Sequence, residues 1–318
     1  MTRFAQEGAH VVVADLDGAV ADAVAAETAG RFPGRATGVA VDVRDDASIA
    51  TLFRRSVLEF GGVDCLFYSA GLAPRFAPIT EIRREDLQRQ LEVHYLGAIA
   101  AIGRAAEIMC RQGLGGSIVA SVSKAALVPA REAVAYGGSK AALLLALRVA
   151  AVELGGDGVR VNAINADQVD TPLFQQFVRE RAASRGITVE EQLEIYRKRN
   201  LLGAKLIPAE AVADLAVLLA SDRFRYTTGD ILTVDGGLPE AFPRRPRRST
   251  ERGRRALRRS RLGGLSIGEA GYRPAAKQAC PRRLRGARRR AAIAPRAARR
   301  GPRSNTQEPP CSGRAAAW

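Results

Sequence analysis

The chain has few of the residues that make metal centres and disulfide scaffolds. Its 318 residues include only four cysteines, Cys65, Cys110, Cys280 and Cys311, and only two histidines, His10 and His94. Neither set has a metal-ligand spacing or a disulfide-framework density, which argues against zinc and di-iron chemistry and for a reducing, cytoplasmic compartment. Aromatic residues make up 5% of the chain, with a single tryptophan. No apolar run of about 18 residues is free of charge, so no membrane span is expected. The N-terminus lacks the basic stretch and apolar block of a secretion signal. With 47% hydrophobic and 26% charged residues, the chain can bury one large core.

The charge is divided between two unlike segments. Residues 244–318 hold 23 of the 49 basic residues and 3 of the 33 acidic ones, so the net charge of +16 belongs to this segment and residues 1–243 are slightly acidic. The C-terminal segment is rich in Arg, Ala, Gly, Pro and Ser, with no sustained apolar period, which predicts a disordered basic tail. Three readings of it stand open. It can bind polyanions through non-specific phosphate neutralisation, although Tyr272 and Trp318 are its only aromatics for base stacking. It can be an inert solvated appendage. It can also be GC-rich DNA read out of frame.

Residues 1–243 alternate in period. Short β-branched runs at His10–Ala14, Ala36–Val43, Val63–Ser69, Ser117–Ser121, Val159–Ile164 and Ile231–Val234 read as buried parallel strands. Helical patterns at Ala19–Ala29, Ala47–Phe60, Arg84–Arg111, Val134–Leu154 and Ala209–Ala220 separate them, with a looser segment at Thr171–Leu202. Such alternation predicts one α/β domain, a doubly wound parallel sheet that binds ligands beyond the carboxyl ends of its strands.

Three features carry chemistry. Asp15 follows the first run directly. An acid there can accept hydrogen bonds from an adenosine ribose and repel a 2′-phosphate, favouring NAD over NADP. Asp15-Leu16-Asp17-Gly18 reads equally well as a turn capping the next helix. Tyr136 and Lys140 stand four apart, one helical turn, so phenol and ammonium share a face. A nearby cation lowers a phenol from its usual pKa of about 10, and Tyr136 could then exchange a proton with an alcohol oxygen while hydride leaves or joins the carbon. Ser123, at a strand end, would hold that oxygen.

Together these residues resemble the short-chain dehydrogenase/reductase family over about residues 1–243. Ser69-Ala70-Gly71, Arg160-Val161-Asn162-Ala163-Ile164-Asn165 and Thr228-Gly229 with Val234-Asp235-Gly236-Gly237 carry the likeness further. The resemblance implies a Rossmann-like fold and an NAD-linked oxidoreductase. Ser123, Tyr136 and Lys140 would be its catalytic residues, and Lys140 would also hold the nicotinamide ribose. Asp42 and Val43 would contact adenine, Ser69, Ala70 and Gly71 would flank the cofactor, and Val169 and Thr171 would meet its nicotinamide end. A homo-oligomer, dimer or tetramer, is implied as well. Val122-Ser123-Lys124, Asn165-Ala166-Asp167, Arg185-Gly186 and Asn200-Leu201-Leu202-Gly203 are similar to the dehydrogenase half of bifunctional rhamnulose-1-phosphate aldolase/short-chain dehydrogenases. In those, an aldolase domain releases lactaldehyde and the dehydrogenase half oxidises it.

Three departures stand out. Only fourteen residues precede Asp15, so the family's first strand and Gly-rich phosphate loop are expected to be missing, leaving a slot in the sheet and weak NAD binding. The sequence therefore reads as truncated at its N-terminus. His94 stands where the family usually has asparagine; it can keep a helix bend and relay protons, or be a partly buried structural residue. Ala166-Asp167 replaces the family's Pro-Gly. Arg55 or Arg131 could meet a substrate charge, and each reads equally as a solvated surface residue. A catalytically degenerate relative of the family, or a nucleic-acid-associated protein acting through its tail, are the rival readings.

Overall fold

The structure, a computed structural model, describes residues 1–32, 36–203, 206–237 and 316–317. The strands are β1 (Val11–Asp15), β2 (Ala36–Ala40), β3 (Cys65–Tyr68), β4 (Gly116–Ser123), β5 (Val159–Ala166), β6 (Ile231–Val234) and β7 (Ala316–Ala317). They form one sheet in the order β2-β1-β7-β3-β4-β5-β6, with parallel pairing throughout. Parallel strands need crossovers, and the helices supply them. These are α1 (Thr2–Gln6), α2 (Gly18–Arg31), α3 (Asp46–Phe60), α4 (Arg84–Leu91), α5 (Gly97–Gln112), α6 (Val134–Leu154), α7 (Pro172–Arg185), α8 (Val189–Arg197) and α9 (Ala209–Ala220).

Alternation along the strands divides the core into two layers. Val12, Leu66, Ile118 and Val161 meet Leu52 of α3, Met109 of α5 and Leu147 of α6 on one face. Val11, Val13, Val119 and Ile164 meet Phe4 of α1, Ala25 of α2 and Leu219 of α9 on the other. The doubly wound α/β fold expected from the sequence is therefore present.

The structure corrects several boundaries. β2 ends at Ala40 rather than Val43, because the Asp42 carboxylate takes the Arg44 amide and turns the chain. β4 and β5 run further than their apolar runs, staying in register to Ser123 opposite Ala166. The stretch Arg84–Arg111 is not one regular helix, since a π-turn, Glu92–Leu96, separates α4 from α5. Tyr68 donates to the Val93 carbonyl in that turn at 2.6 Å. The looser segment holds two helices. Thr171 caps α7 with Pro172 in its first turn, and Thr188 and Glu191 make a capping box for α8.

By length and composition, Arg84–Gln112 and Val134–Asp157 are apolar enough to cross a membrane, which a search for charge-free runs misses. In this fold both press a buried face on the sheet. The slot expected in the sheet is also filled. Two residues from the end of the chain, Ala316 and Ala317, pair with Val11 and Val12 of β1 and with Cys65 and Leu66 of β3. Two parallel strands held apart would leave backbone donors and acceptors unpaired, and an extended segment satisfies them. The tail read as disordered therefore contains a short strand, and its remainder, residues 244–315 and 318, lies outside the described residues.

Candidate active site

Because the strands are parallel, Asp15, Tyr68, Ser123 and Ala166 all end at the same edge of the sheet. A cavity of about 560 Å³ opens there, lined among others by Ser69, Ser123, Tyr136, Asp167, Gln168, Val169 and Thr171. Leu72, Leu173, Phe174 and Phe177 give it an apolar wall. Residues far apart in sequence are thus brought to one surface, as the carboxyl edge of a doubly wound sheet does.

Ser123 closes β4 and is nearly buried; its hydroxyl accepts the Ala125 amide at 3.3 Å and faces the cavity together with the Tyr136 phenol, whose ionised form it favours. Tyr136 and Lys140 lie on successive turns at the start of α6. Gly137 lets that helix approach closely: a Cβ there would sit 3.0 Å from the Ala125 carbonyl oxygen. The Lys140 ammonium, also buried, donates to the Ser121 carbonyl at 3.0 Å.

The electrostatics differ from the expectation of a phenol lowered by its lysine. Burial pushes Tyr136 up to about 12, with the Ser123 hydrogen bond opposing and the Asp167 charge adding to the rise. Burial also pushes Lys140 down to about 8. Desolvation disfavours both charged forms and outweighs the spacing argument. Tyr136 is therefore a protonated acid at neutral pH, suited to giving a proton to a carbonyl oxygen. Its work as a base needs additional positive charge in the cavity.

His94 lies behind Tyr136, ring edge to ring face, with centroids 5.3 Å apart. It is fully buried. Nε2 accepts the Leu72 amide hydrogen at 3.1 Å, so Nδ1 carries the proton toward the Ser139 hydroxyl at 3.0 Å, which in turn donates to the Tyr136 carbonyl. Burial, with the Lys140 charge, pushes the imidazole down to about 2. With both nitrogens engaged and the ring neutral, this arrangement braces the Gly71–Leu72 turn against α6. It does not provide a proton relay.

Of the remaining expected positions, Ser69, Val169 and Thr171 line the cavity, whereas Asp15, Asp42, Val43, Ala70 and Gly71 do not and follow the strand ends along the sheet edge. Asp42 and Val43 follow β2, Asp15 ends β1, Ser69, Ala70 and Gly71 follow β3, and Val169 and Thr171 follow β5. Asp15 is exposed and accepts the Asp17 amide at 3.0 Å. It is Asp17 that caps α2, through the Ala19 and Val20 amides. The Asp42 carboxylate is clasped by Arg44, which holds it below the usual carboxylate range. The donor set suits the nucleoside and nicotinamide ends of a dinucleotide. No glycine-rich turn leads into α1 among the described residues, so they supply no pyrophosphate cradle. Arg55 is paired with Glu59 at 2.7 Å, and neither it nor Arg131 lines the cavity.

Sequence reasoning missed the aromatic wall. Leu173, Phe174 and Phe177 recur at helical spacing behind the Thr171-Pro172 start signal, which was the available clue. Phe177 stands 5.8 Å from the Tyr136 ring, centroid to centroid. Also missed was a buried ion pair, Lys124 with Asp167 at 3.4 Å.

Comparison with known proteins shows which family the chain resembles. The family described as "Enoyl-(Acyl carrier protein) reductase" matches residues 2–239. A protein of Bacillus subtilis (strain 168) named "Uncharacterized oxidoreductase YuxG" is 35% identical over 246 residues, covering 76% of this chain and 35% of that one. The chain thus spans about a third of that relative's length. D-threitol dehydrogenase of Mycolicibacterium smegmatis is 35% identical, over 74% of this chain and 85% of its own. The crystal structure of sorbitol-6-phosphate 2-dehydrogenase from Erwinia amylovora superposes with a TM-score of 0.70 at 32% identity, covering 74% and 92%. With the Ser123–Tyr136–Lys140 arrangement at the sheet edge, these matches place the chain in the short-chain dehydrogenase/reductase family of oxidoreductases.

Proposed function

We propose that residues 1–243 form an NAD-dependent dehydrogenase domain acting on a small alcohol, aldehyde or sugar-derived substrate, lactaldehyde among them, in the cytoplasm. The observation that carries this reading is the convergence of Ser123 and Tyr136 on the lining of one cavity, with Lys140 one turn behind. Bound nicotinamide dinucleotide would accept or supply the hydride. Ser123 orients the substrate oxygen, Tyr136 gives or takes its proton, and Lys140 holds positive charge beneath the phenol. Asp15, exposed at the end of β1, supports NAD over NADP through its charge at the ribose position. Lactaldehyde is supported only by the likeness of Val122-Ser123-Lys124, Asn165-Ala166-Asp167 and Asn200-Leu201-Leu202-Gly203 to bifunctional aldolase/dehydrogenases.

The apolar stripe Leu145, Val149 and Val152, exposed along α6, supports a homo-oligomer. The arginines of the tail suit non-specific, salt-dependent polyanion binding; they lie outside the described residues.

The test is turnover of the 318-residue protein with NAD at millimolar concentration, because no pyrophosphate cradle is among the described residues. The assay compares lactaldehyde and small polyols and includes Tyr136→Phe. We expect the substitution to reduce turnover about 100-fold or more. A rate unchanged by Tyr136→Phe, or no rate at all, would support a degenerate dehydrogenase instead.

A further inference from the structure

The cavity has a second polar end. β4 and β5 run in parallel register up to Ser123 opposite Ala166, so the next residues, Lys124 and Asp167, emerge side by side. Their side chains form the ion pair at 3.4 Å, with 11% and 19% of their surfaces exposed. Asp167 faces the cavity, and its Oδ2 has no directed hydrogen bond. Burial raises its pKa while Lys124 and Arg199 oppose the rise.

Gln168 follows. It lines the cavity and is 1% exposed, yet neither its amide oxygen nor its amide nitrogen has a partner. Its backbone takes φ of 57°, a left-handed conformation rare for a residue with a side chain. The surroundings hold it there: its carbonyl accepts the Ile207 amide at 2.9 Å, and Val169 bridges to Ile207. Strained backbone and an unpaired buried amide are both costly and persist mainly where a ligand uses them.

We propose that Gln168 and Asp167, backed by Lys124, form a specificity site for a second hydroxyl of the substrate, so that the enzyme prefers a polyol or hydroxyaldehyde to a lone alcohol on an apolar skeleton. The inference rests on the proposed reading of the cavity as a carbinol-oxidising site. A hydroxyl both gives and accepts a hydrogen bond. It can donate to the Gln168 amide oxygen or the Asp167 carboxylate and accept from the Gln168 amide nitrogen. An apolar group would leave both Gln168 amide atoms desolvated and unpaired. An anionic group would meet the Asp167 charge, and Lys124 is already committed to that carboxylate.

The matched probes are butane-2,3-diol and butan-2-ol, which differ by one hydroxyl, with Gln168→Leu as the variant. Binding is read by saturation-transfer NMR on the full chain, and turnover is read separately with NAD. Wild type is expected to favour the diol by at least about tenfold in kcat/KM and to show the stronger saturation transfer with it. Gln168→Leu should remove the preference, lowering kcat/KM for the diol at least about tenfold more than for butan-2-ol, without a parallel fall in NADH affinity or a lower melting temperature. Equal losses for both alcohols, no diol preference in wild-type binding, or a parallel fall in NADH affinity would each overturn the assignment; the last would give Gln168 to the cofactor. Diol-selective binding without turnover would leave the assignment standing and count against the proposed activity.

Discussion

At the scale of single residues, burial decides what each group of the site can do. The spacing of Tyr136 and Lys140 was legible in the sequence, because four residues make one helical turn whatever surrounds them. The sign of the tyrosine's shift was not, because desolvation depends on elements that close over it from elsewhere in the chain. The same holds for His94, whose two nitrogens are engaged by Leu72 and Ser139, 22 and 45 residues away. Its pKa falls from an ordinary 6.5 to about 2. Below pH 6.5 the unfolded chain takes up a proton that the folded one refuses, so stability is lost as pH falls through that range. Between pH 6.5 and 5 this contribution is about 1.5 kcal/mol. In His94→Asn that loss should be absent, and urea unfolding of both proteins at the two pH values measures it. Equal acid sensitivity in the two would place the destabilising group elsewhere.

At the scale of elements, β-branched runs announced six strands, and the helices between them followed from period. The α7 and α8 helices were harder to read: Thr171–Leu202 is crowded with charged and amide side chains, and the capping signals at Thr171 and Thr188 are plainer than any apolar stripe behind them. The π-turn could not be read at all, since it is set by the fit of His94 and by the Tyr68 bond to Val93 rather than by a local motif. Position between elements is equally a matter of contact. Helix α6 meets the Lys124–Ala126 turn at Gly137, where a methyl group would press on the Ala125 carbonyl at 3.0 Å. Gly137→Ala gains helix propensity of up to about 1 kcal/mol and must still push α6 outward, carrying Tyr136 away from Ser123. We expect the melting temperature to change little and turnover to fall by at least about tenfold. Parallel kinetics and thermal melts check this; unimpaired turnover would show that the Ser123–Tyr136 distance has slack.

At the scale of the whole molecule, the two helices long and apolar enough to span a membrane present a different problem. Each buries one face on the sheet, which accounts for only part of its apolar surface. On α6, Leu145, Val149 and Val152 are exposed by 65%, 48% and 83% and recur at i, i+4 and i+7, one continuous stripe. Leu96, at the end of the π-turn, and Ile99 in the first turn of α5 are exposed by 57% and 38%. The sequence showed this excess only as a helix rich in apolar residues; which side faces outward needed the sheet. A stripe of this kind along a helix is suited to the same stripe on a second copy, where the residues meet their own counterparts about a two-fold axis. Val152 touches little within one chain, so Val152→Glu should leave the fold of the subunit nearly unchanged, within about 0.5 kcal/mol. In an oligomer the same carboxylates would be buried together without partners. We therefore expect light scattering to find the wild type as a dimer or larger and Val152→Glu as a monomer. A wild type that is already monomeric would remove the oligomer from the proposal, and an oligomer indifferent to Val152→Glu would move its interface to another face.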